Sequence, residues 1–274
     1  LEEYLTGNLA TPFPTMAFTQ RPDRLCQALL EGRGGLMADG LPLAWMAPGT
    51  IDQFFKTGQD RAFHWMTASA LNLIRWFCAV ITVLVPGLYI ALVTFHPEAI
   101  PVKLALSIAA AKQEVPFSTI FEVLIMLLAF EVIQEAGLRL PQSIGQTVSI
   151  LGGLVVGSAA VEAKMVSPAV LIVVAVAGIT GYTMPSQEFG GALRIWRFLL
   201  AVLAGLAGLF GVMAGTAALV GHLAGLESFG AAYLTPFAAN AGEQVEGRTV
   251  LRQPLPKAKL REAALKIRNR RNQK

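Results

Sequence analysis

The chain has 274 residues, of which 54% are hydrophobic and only 15% charged, where a soluble domain carries about 25% charged residues. Its net charge is +4 and its mean hydropathy +0.55. These values exclude an ordinary water-soluble globule and require any function to be one that a membrane-embedded helical bundle can perform.

The first residues, Leu1-Glu2-Glu3-Tyr4, have no basic start and no short apolar core, so no cleavable signal peptide is expected. Leu1 is not an initiator methionine, and the chain reads as a fragment or trimmed piece. Thr11-Pro12-Phe13-Pro14 is extended and proline-punctuated. Residues 21–31 predict a short helix with Leu25, Leu29 and Leu30 on one face, stopped by Gly32-Arg33-Gly34-Gly35. Leu36 to Ala38 and Leu41 to Met46 read as two strands around an Asp39-Gly40 turn. This is the end of a small α/β domain, expected over residues 1–70 and truncated at its start.

Asp52 to Asn72 reads as an amphipathic lead-in with Phe54, Phe55, Phe63 and Trp65, aromatic residues suited to a membrane interface. Arg61 and Arg75 flank the first apolar run and place its N-terminal side in the cytoplasm. Four runs lack a charged residue: 76–97, 140–161, 165–187 and 198–226. A bilayer core about 30 Å thick needs roughly 20 apolar helical residues, and inside lipid the backbone must bond to itself, which predicts helices. Pro86-Gly87 interrupts the first run and predicts a packing kink or a hinge. His96-Pro97-Glu98 closes it. Residues 101–113 predict a helix too short to cross, lying at the interface or re-entering.

Residues 117–136 are apolar yet carry Glu122, Glu131, Gln134 and Glu135. Carboxylates at membrane depth are costly and face a bundle interior or water. Glu131 and Glu135 share a helical face, and Glu122 falls nearly opposite, beside Ser118. Glu131 and Glu135 read equally as headgroup-level acids, solvated or paired with Arg139. Gly152, Gly153 and Gly157 lie on the next run. Arg194 and Arg197 precede the last, where Ala207, Gly211 and Gly215 form a small-residue stripe for close helix contact. That run of 29 residues, 198–226, exceeds one untilted crossing, so it is expected to tilt or to break near Gly215 to Gly225.

Ten of the 22 Lys and Arg lie between Arg248 and Lys274 with one acid, Glu262. Beside a membrane such a cluster marks the cytoplasmic side and attracts anionic lipid; otherwise it is a solvated tail. Five crossings would place the tail outside and four inside, and the charge rule favours four. Cys26 and Cys78 sit in different compartments or depths, and no disulfide is expected. No phosphate loop, zinc constellation or nucleophile elbow is present, since His64, His96 and His222 stand apart in sequence. No enzymatic activity, metal or cofactor is expected.

Short motifs in order along residues 12–240 resemble the A subunit of GerA-type spore germination receptors, including the related stage V sporulation protein. They are Pro12-Phe13-Pro14, Arg21-Pro22-Asp23, Leu30-Glu31-Gly32-Arg33 with Asp39-Gly40-Leu41-Pro42, Val85-Pro86-Gly87-Leu88-Tyr89 with His96-Pro97-Glu98, Ser107 to Ala111, Val115-Pro116-Phe117, Glu131 to Pro141, Gly145 to Glu162, and Ser228-Phe229-Gly230 with Tyr233 to Pro236. The resemblance implies a receptor component of the inner spore membrane. It would work with a transporter-like B subunit and a lipoprotein C subunit, and its copies would form an oligomeric ion channel.

The reading is therefore a mainly α protein: a polytopic membrane domain over 71–240 with four or five spans plus short amphipathic or re-entrant helices, and a basic cytoplasmic tail over 241–274. Ser118, Glu122, Glu131, Gln134 and Glu135 are the ion-pathway candidates; Gly153, Gly157, Ala207, Gly211 and Gly215 the packing residues; Pro86 and Gly87 the hinge. A ring of glutamates from identical helices would favour cations. The alternatives are a secondary transporter, which requires an internal repeat, and a non-conducting scaffold that binds partner subunits.

Overall fold

The computed structural model describes residues 11–139, 155–235 and positions 5, 152, 153, 237, 250–252, 254 and 265. Most of these are helical. They fall into two compact units, one of residues 1–78, 183–192 and 218–274, the other of 79–182 and 193–217.

The first unit holds a three-stranded antiparallel sheet of β1 (Ala17–Thr19), β3 (Ala44–Ala47) and β2 (Gly34–Met37), with β3 in the middle. The expected strand pair is present, with Gly40 at φ +81 in its turn. At only three residues, β1 is too short to show alternation in sequence. Helix α1 (Pro22–Glu31) ends at Gly32, whose φ of 96 suits glycine. Its buried residue is Ala28, while Leu29 and Leu30 are exposed.

Helix α2 (Ile51–Phe55) buries Phe54 and Phe55. Phe54 stacks on Phe189 at 5.6 Å and Phe55 on Trp76 at 3.9 Å. These two phenylalanines belong to an aromatic core that also includes Phe13 and Tyr233, so only Phe63 and Trp65 of the lead-in aromatics stay exposed. The strands β4 (Glu227–Ser228) and β5 (Ala231–Ala232) form a hairpin. Phe229 and Gly230, at φ 49 and 75, make the two-residue turn with positive φ that matches strand twist. Ser228 Oγ donates to Thr15 O at 2.6 Å and accepts from Gly49 N at 3.0 Å, tying the hairpin to the sheet unit.

The second unit is a helical bundle. Helix α3 (Trp65–Phe95) begins in the first unit and contains Pro86. Its 31 residues span about 46 Å at 1.5 Å each. The expected start at Trp76 is eleven residues late, because Arg75 does not end the helix. Its guanidinium pairs with Asp60 at 2.7 Å instead of staying free in water. Helices α4 (Val102–Lys112), α5 (Thr119–Arg139) and α6 (Pro168–Gly181) follow. Residues 155–162 are also helical. Of the expected run 140–161, residues 140–151 and 154 lie outside the described residues.

Helix α7 (Gln187–Gly225) is not one rod. Gly208, at φ 59 and ψ −139, breaks it. A Cβ added at Gly215 would sit 2.5 Å from Leu200 Cδ2, although fifteen residues of straight helix would separate these positions by about 22 Å. The arms 187–207 and 209–225 therefore form an antiparallel hairpin. The break falls seven residues before the expected interval, at a glycine whose φ of 59 a side chain would strain.

The bundle core joins Ile90 and Ala91 of α3, Val123, Met126 and Leu127 of α5, Val170 and Val174 of α6, and Ala201, Ala204 and Val212 of α7. Gly87 packs near Leu200 O and Phe95 near Gly208, so α3 runs parallel to the first arm of α7. Ile120 lies on Gly205 and Glu131 on Arg194, which makes α5 antiparallel to that arm. Outward faces carry Leu128, Ile172, Ile179, Leu206, Phe210 and Met213, all exposed. Contiguous apolar surface of this extent is costly in water and natural in lipid. The helices at 65–95 and 187–225 are long and apolar enough to cross a membrane.

Candidate functional site

The charged residues inside the bundle are the chemically distinctive feature, and α5 carries the acids. Glu122 lies in the first turn of α5 and is 1% exposed. Its Oε2 accepts the backbone N–H of Ser167 at 2.8 Å. Ser167 is the N-cap of α6, and its own side chain makes no capping bond. A carboxylate from another helix thus satisfies one of the orphan donors of α6 and sits where the helix dipole favours negative charge. The other oxygen, Oε1, has no hydrogen bond and lies 4.0 Å from Lys112 Nζ.

Two and a half turns on, Glu131 meets two arginines. Its Oε2 accepts from Arg197 at 3.2 Å and its Oε1 accepts from Arg194. Arg194 and Arg197, three apart, share one face of α7. Arg197 is 2% exposed, also donates to Ala177 O of α6 at 3.4 Å, and lies over the Phe198 ring at 5.9 Å. One carboxylate and two guanidiniums leave a positive excess, held among three helices. Burying such a pair costs much of its Coulomb attraction, so its value lies in fixing which faces of α5, α6 and α7 meet.

The five ion-pathway candidates do not share one environment. Glu122 and Gln134 are buried, Glu131 is partly buried in its arginine pair, and Ser118 and Glu135 are exposed. Gln134 lies beside Gly178, where an added Cβ would be 3.6 Å from its Nε2. Among the packing residues, Gly157 would place a Cβ 3.0 Å from Leu171, while Gly153 meets nothing within 4 Å. Gly211 and Gly215 face the first arm of their own helix, where a Cβ at Gly211 would fall 2.0 Å from Leu203 O; Ala207 is exposed. Gly87 lies 3.4 Å, by its added Cβ, from Leu200 O, a close helix contact. Among the described residues no group of three or more His, Cys, Asp or Glu could hold a metal ion.

Sequence reasoning missed three partnerships. The arginines facing Glu131 lie more than sixty residues away, and their three-residue spacing at the head of an apolar run was the available signal. In the sheet unit, Asp52 joins Lys56 at 2.5 Å, Thr50 and Arg33. Burial pushes the Asp52 carboxyl up, and the opposing pull of Lys56 and Arg33 holds it below its ordinary value. The third is the tail. Asn72 Nδ2 donates to Val250 O at 2.9 Å, Arg252 N donates to Ser69 Oγ at 2.8 Å, and Arg252 donates to Phe63 O at 2.9 Å. Residues 250–252 are thus bound to the start of α3 instead of lying free in solvent.

The sequence model of the family described as Bacillus/Clostridium GerA spore germination protein matches residues 1–264. The chain is 41% identical over 254 residues to "Spore germination protein B1" of Bacillus subtilis (strain 168), covering 93% of the chain and 52% of that protein. It is 39% identical to "Spore germination protein GerLA" of Bacillus cereus, over 87% of the chain and 48% of that protein. It is 37% identical to "Spore germination protein A1" of Bacillus subtilis (strain 168), over 86% and 49%. The chain spans about half the length of the curated relatives it matches. No solved structure matches it.

Proposed function

The chain belongs to the Bacillus/Clostridium GerA spore germination protein family, and from that premise we propose that it is a membrane subunit of a nutrient germinant receptor. It resides in the inner spore membrane, with its N-terminal part and basic tail on the cytoplasmic side. Copies of it assemble around a pathway that releases cations during germination, alongside a transporter-like B subunit and a lipoprotein C subunit. Anionic lipid meets the basic tail. The observation that carries this reading is the family match along nearly the whole chain, joined to a bundle with a lipid-compatible surface and buried charged residues, Glu122 and Arg197, beside its apolar core.

The placement of the acids narrows the pathway. Glu122 is buried and Glu131 partly buried within a single chain, so they serve the bundle's own geometry. Glu135 on α5 and Ser118, the residue before that helix, are exposed, and this exposure makes them the candidates to face a lumen shared between copies. A ring of Glu135 carboxylates would concentrate negative potential and favour cations.

The test is cation flux through the full-length protein, purified with its partner subunits and reconstituted into liposomes. Flux selective for potassium or sodium over chloride is expected, with Glu135→Gln lowering that selectivity. A correctly assembled oligomer that passes no ion would overturn the conduction reading and leave a scaffold that binds partner subunits. That second reading has one observation in its favour, the contacts that Glu122 and Glu131 make within a single chain.

A further inference from the structure

We propose that Lys112 and Glu122 form an electrostatic latch that holds the short helix α4 onto the bundle, and that neutralising either side chain frees α4. The geometry begins with α4 itself. It has eleven residues and none of them is buried; Val102, Leu104 and Leu106 are exposed. A helix this short is marginal in isolation, so its position depends on ties made at its ends.

At its C-terminal end Lys112 reaches back to the bundle. Its ammonium donates to Thr119 Oγ1 and lies 4.0 Å from Glu122 Oε1. Lys112 is 33% exposed while the Glu122 side chain is fully enclosed. The cation therefore enters from the surface to meet a fixed buried anion. Glu122 is held from the other side by Ser167 N–H, and its Oε1 has no hydrogen-bond donor among the described residues. A buried carboxylate oxygen without a donor is costly, and Lys112 is the cation beside it. Glu114 also pairs with Lys164 at 3.2 Å, but both side chains are exposed and such a surface pair contributes little.

The site's place in the fold gives the latch a consequence. Ile120, one residue past Thr119, packs on Gly205 near the reversal of α7, and Phe95 at the end of α3 packs on Gly208. The end of α3, the start of α5 and the turn of α7 meet at this end of the bundle, and α4 is the segment that links the first two. Whether α4 is seated or released changes what covers that end. The latch stands apart from the question of conduction, since its readout is the mobility of α4.

Hydrogen–deuterium exchange of the purified full-length protein in lipid nanodiscs tests it. In Lys112→Gln and in Glu122→Gln the amides of 102–112 are expected to exchange about tenfold faster, the size of a lost charge pair with one partly exposed member. The double variant should exchange no faster than either single one, because one interaction is removed in all three. Lys112→Arg, which keeps the charge, should stay near wild type. Gln at 122 retains an acceptor for Ser167 N–H, so unchanged exchange across 168–181 would report an intact bundle. Exchange of 102–112 within twofold of wild type in Lys112→Gln, or single effects that multiply in the double variant, would overturn the latch.

Discussion

Removing the charge of Glu131 should destabilise the bundle more than any other single neutralisation within it. In Glu131→Gln the side chain keeps its size and one acceptor, while Arg197 keeps its charge with Ala177 O as its other acceptor at 3.4 Å. At the observed 3.2 Å between Arg197 and Glu131, an effective dielectric of about 20 gives an attraction of roughly 5 kcal/mol. The Glu131 side chain is 27% exposed, and the Gln amide oxygen still accepts one bond. These discount the loss to about 2–3 kcal/mol, at the lower edge of what breaking a buried pair costs. The assay is a double-mutant cycle by reversible unfolding in mixed micelles, with Glu131→Gln, Arg197→Gln and the combination. The expected coupling is at least about 1.5 kcal/mol, with the double variant recovering part of the single losses, because the buried Arg197 charge is gone and only the more exposed Arg194 is left without its carboxylate. Strict additivity, within about 0.5 kcal/mol, would show that the pair is bystander geometry and would remove the argument that it sets the register of α5 against α7.

Two further outcomes follow from the same structure. Gly208→Ala places a Cβ in a φ of +59, about 3.0 Å from the Phe95 ring; a loss of about 1–3 kcal/mol is expected, read as a lower unfolding midpoint, and a neutral result would mean the hairpin turn lies elsewhere. In the sheet unit, burial raises the Asp60 carboxyl, but bonds from Arg75 and the Thr57 N–H outweigh it and hold the group below its ordinary value. A depressed acid contributes stability that is present above the unfolded value near 4 and is lost as pH falls through the folded one. Acid titration of aromatic fluorescence near Trp76 should therefore show loss below about pH 4 in wild type, and a shallower pH dependence in Arg75→Gln.

The runs 76–97 and 198–226 fall in helices long and apolar enough to cross a membrane, and they were legible because lipid imposes a length and a composition, both local properties of the chain; run 165–187 holds only the shorter helix Pro168–Gly181. The strand pair at 34–47 was legible because Asp39-Gly40 encodes a turn. The environment of the acids was not. Sequence shows that Glu122 and Glu131 lie in an apolar helix, but the groups that meet them belong to Lys112, Ser167, Arg194 and Arg197 on other elements. A helical wheel assigns a face, and only tertiary packing says what stands opposite. The small-residue stripe had the same limit. Gly211 and Gly215 do serve a close helix contact, but the neighbour is the preceding arm of their own helix, which periodicity cannot distinguish from a partner helix.

That reversal also bears on the direction of the chain. Counting apolar runs sets four crossings against five and leaves the basic tail on either side. The counting assumes that residues 198–226 pass once through the bilayer. With the turn at Gly208, the beginning and the end of α7, residues 187–192 and 218–225, both belong to the unit that contains the N-terminal sheet and the start of α3. Thr11 Oγ1 and His222 Nε2, 2.9 Å apart, close that unit from both ends of the chain, and Ser69 and Asn72 hold residues 250–252 within it. The start of α3 and the end of α7 thus belong to one and the same unit. The reversal at Gly208 removes the single-pass assumption on which the count of crossings rests, because the two arms of that run pack on each other instead of crossing in line.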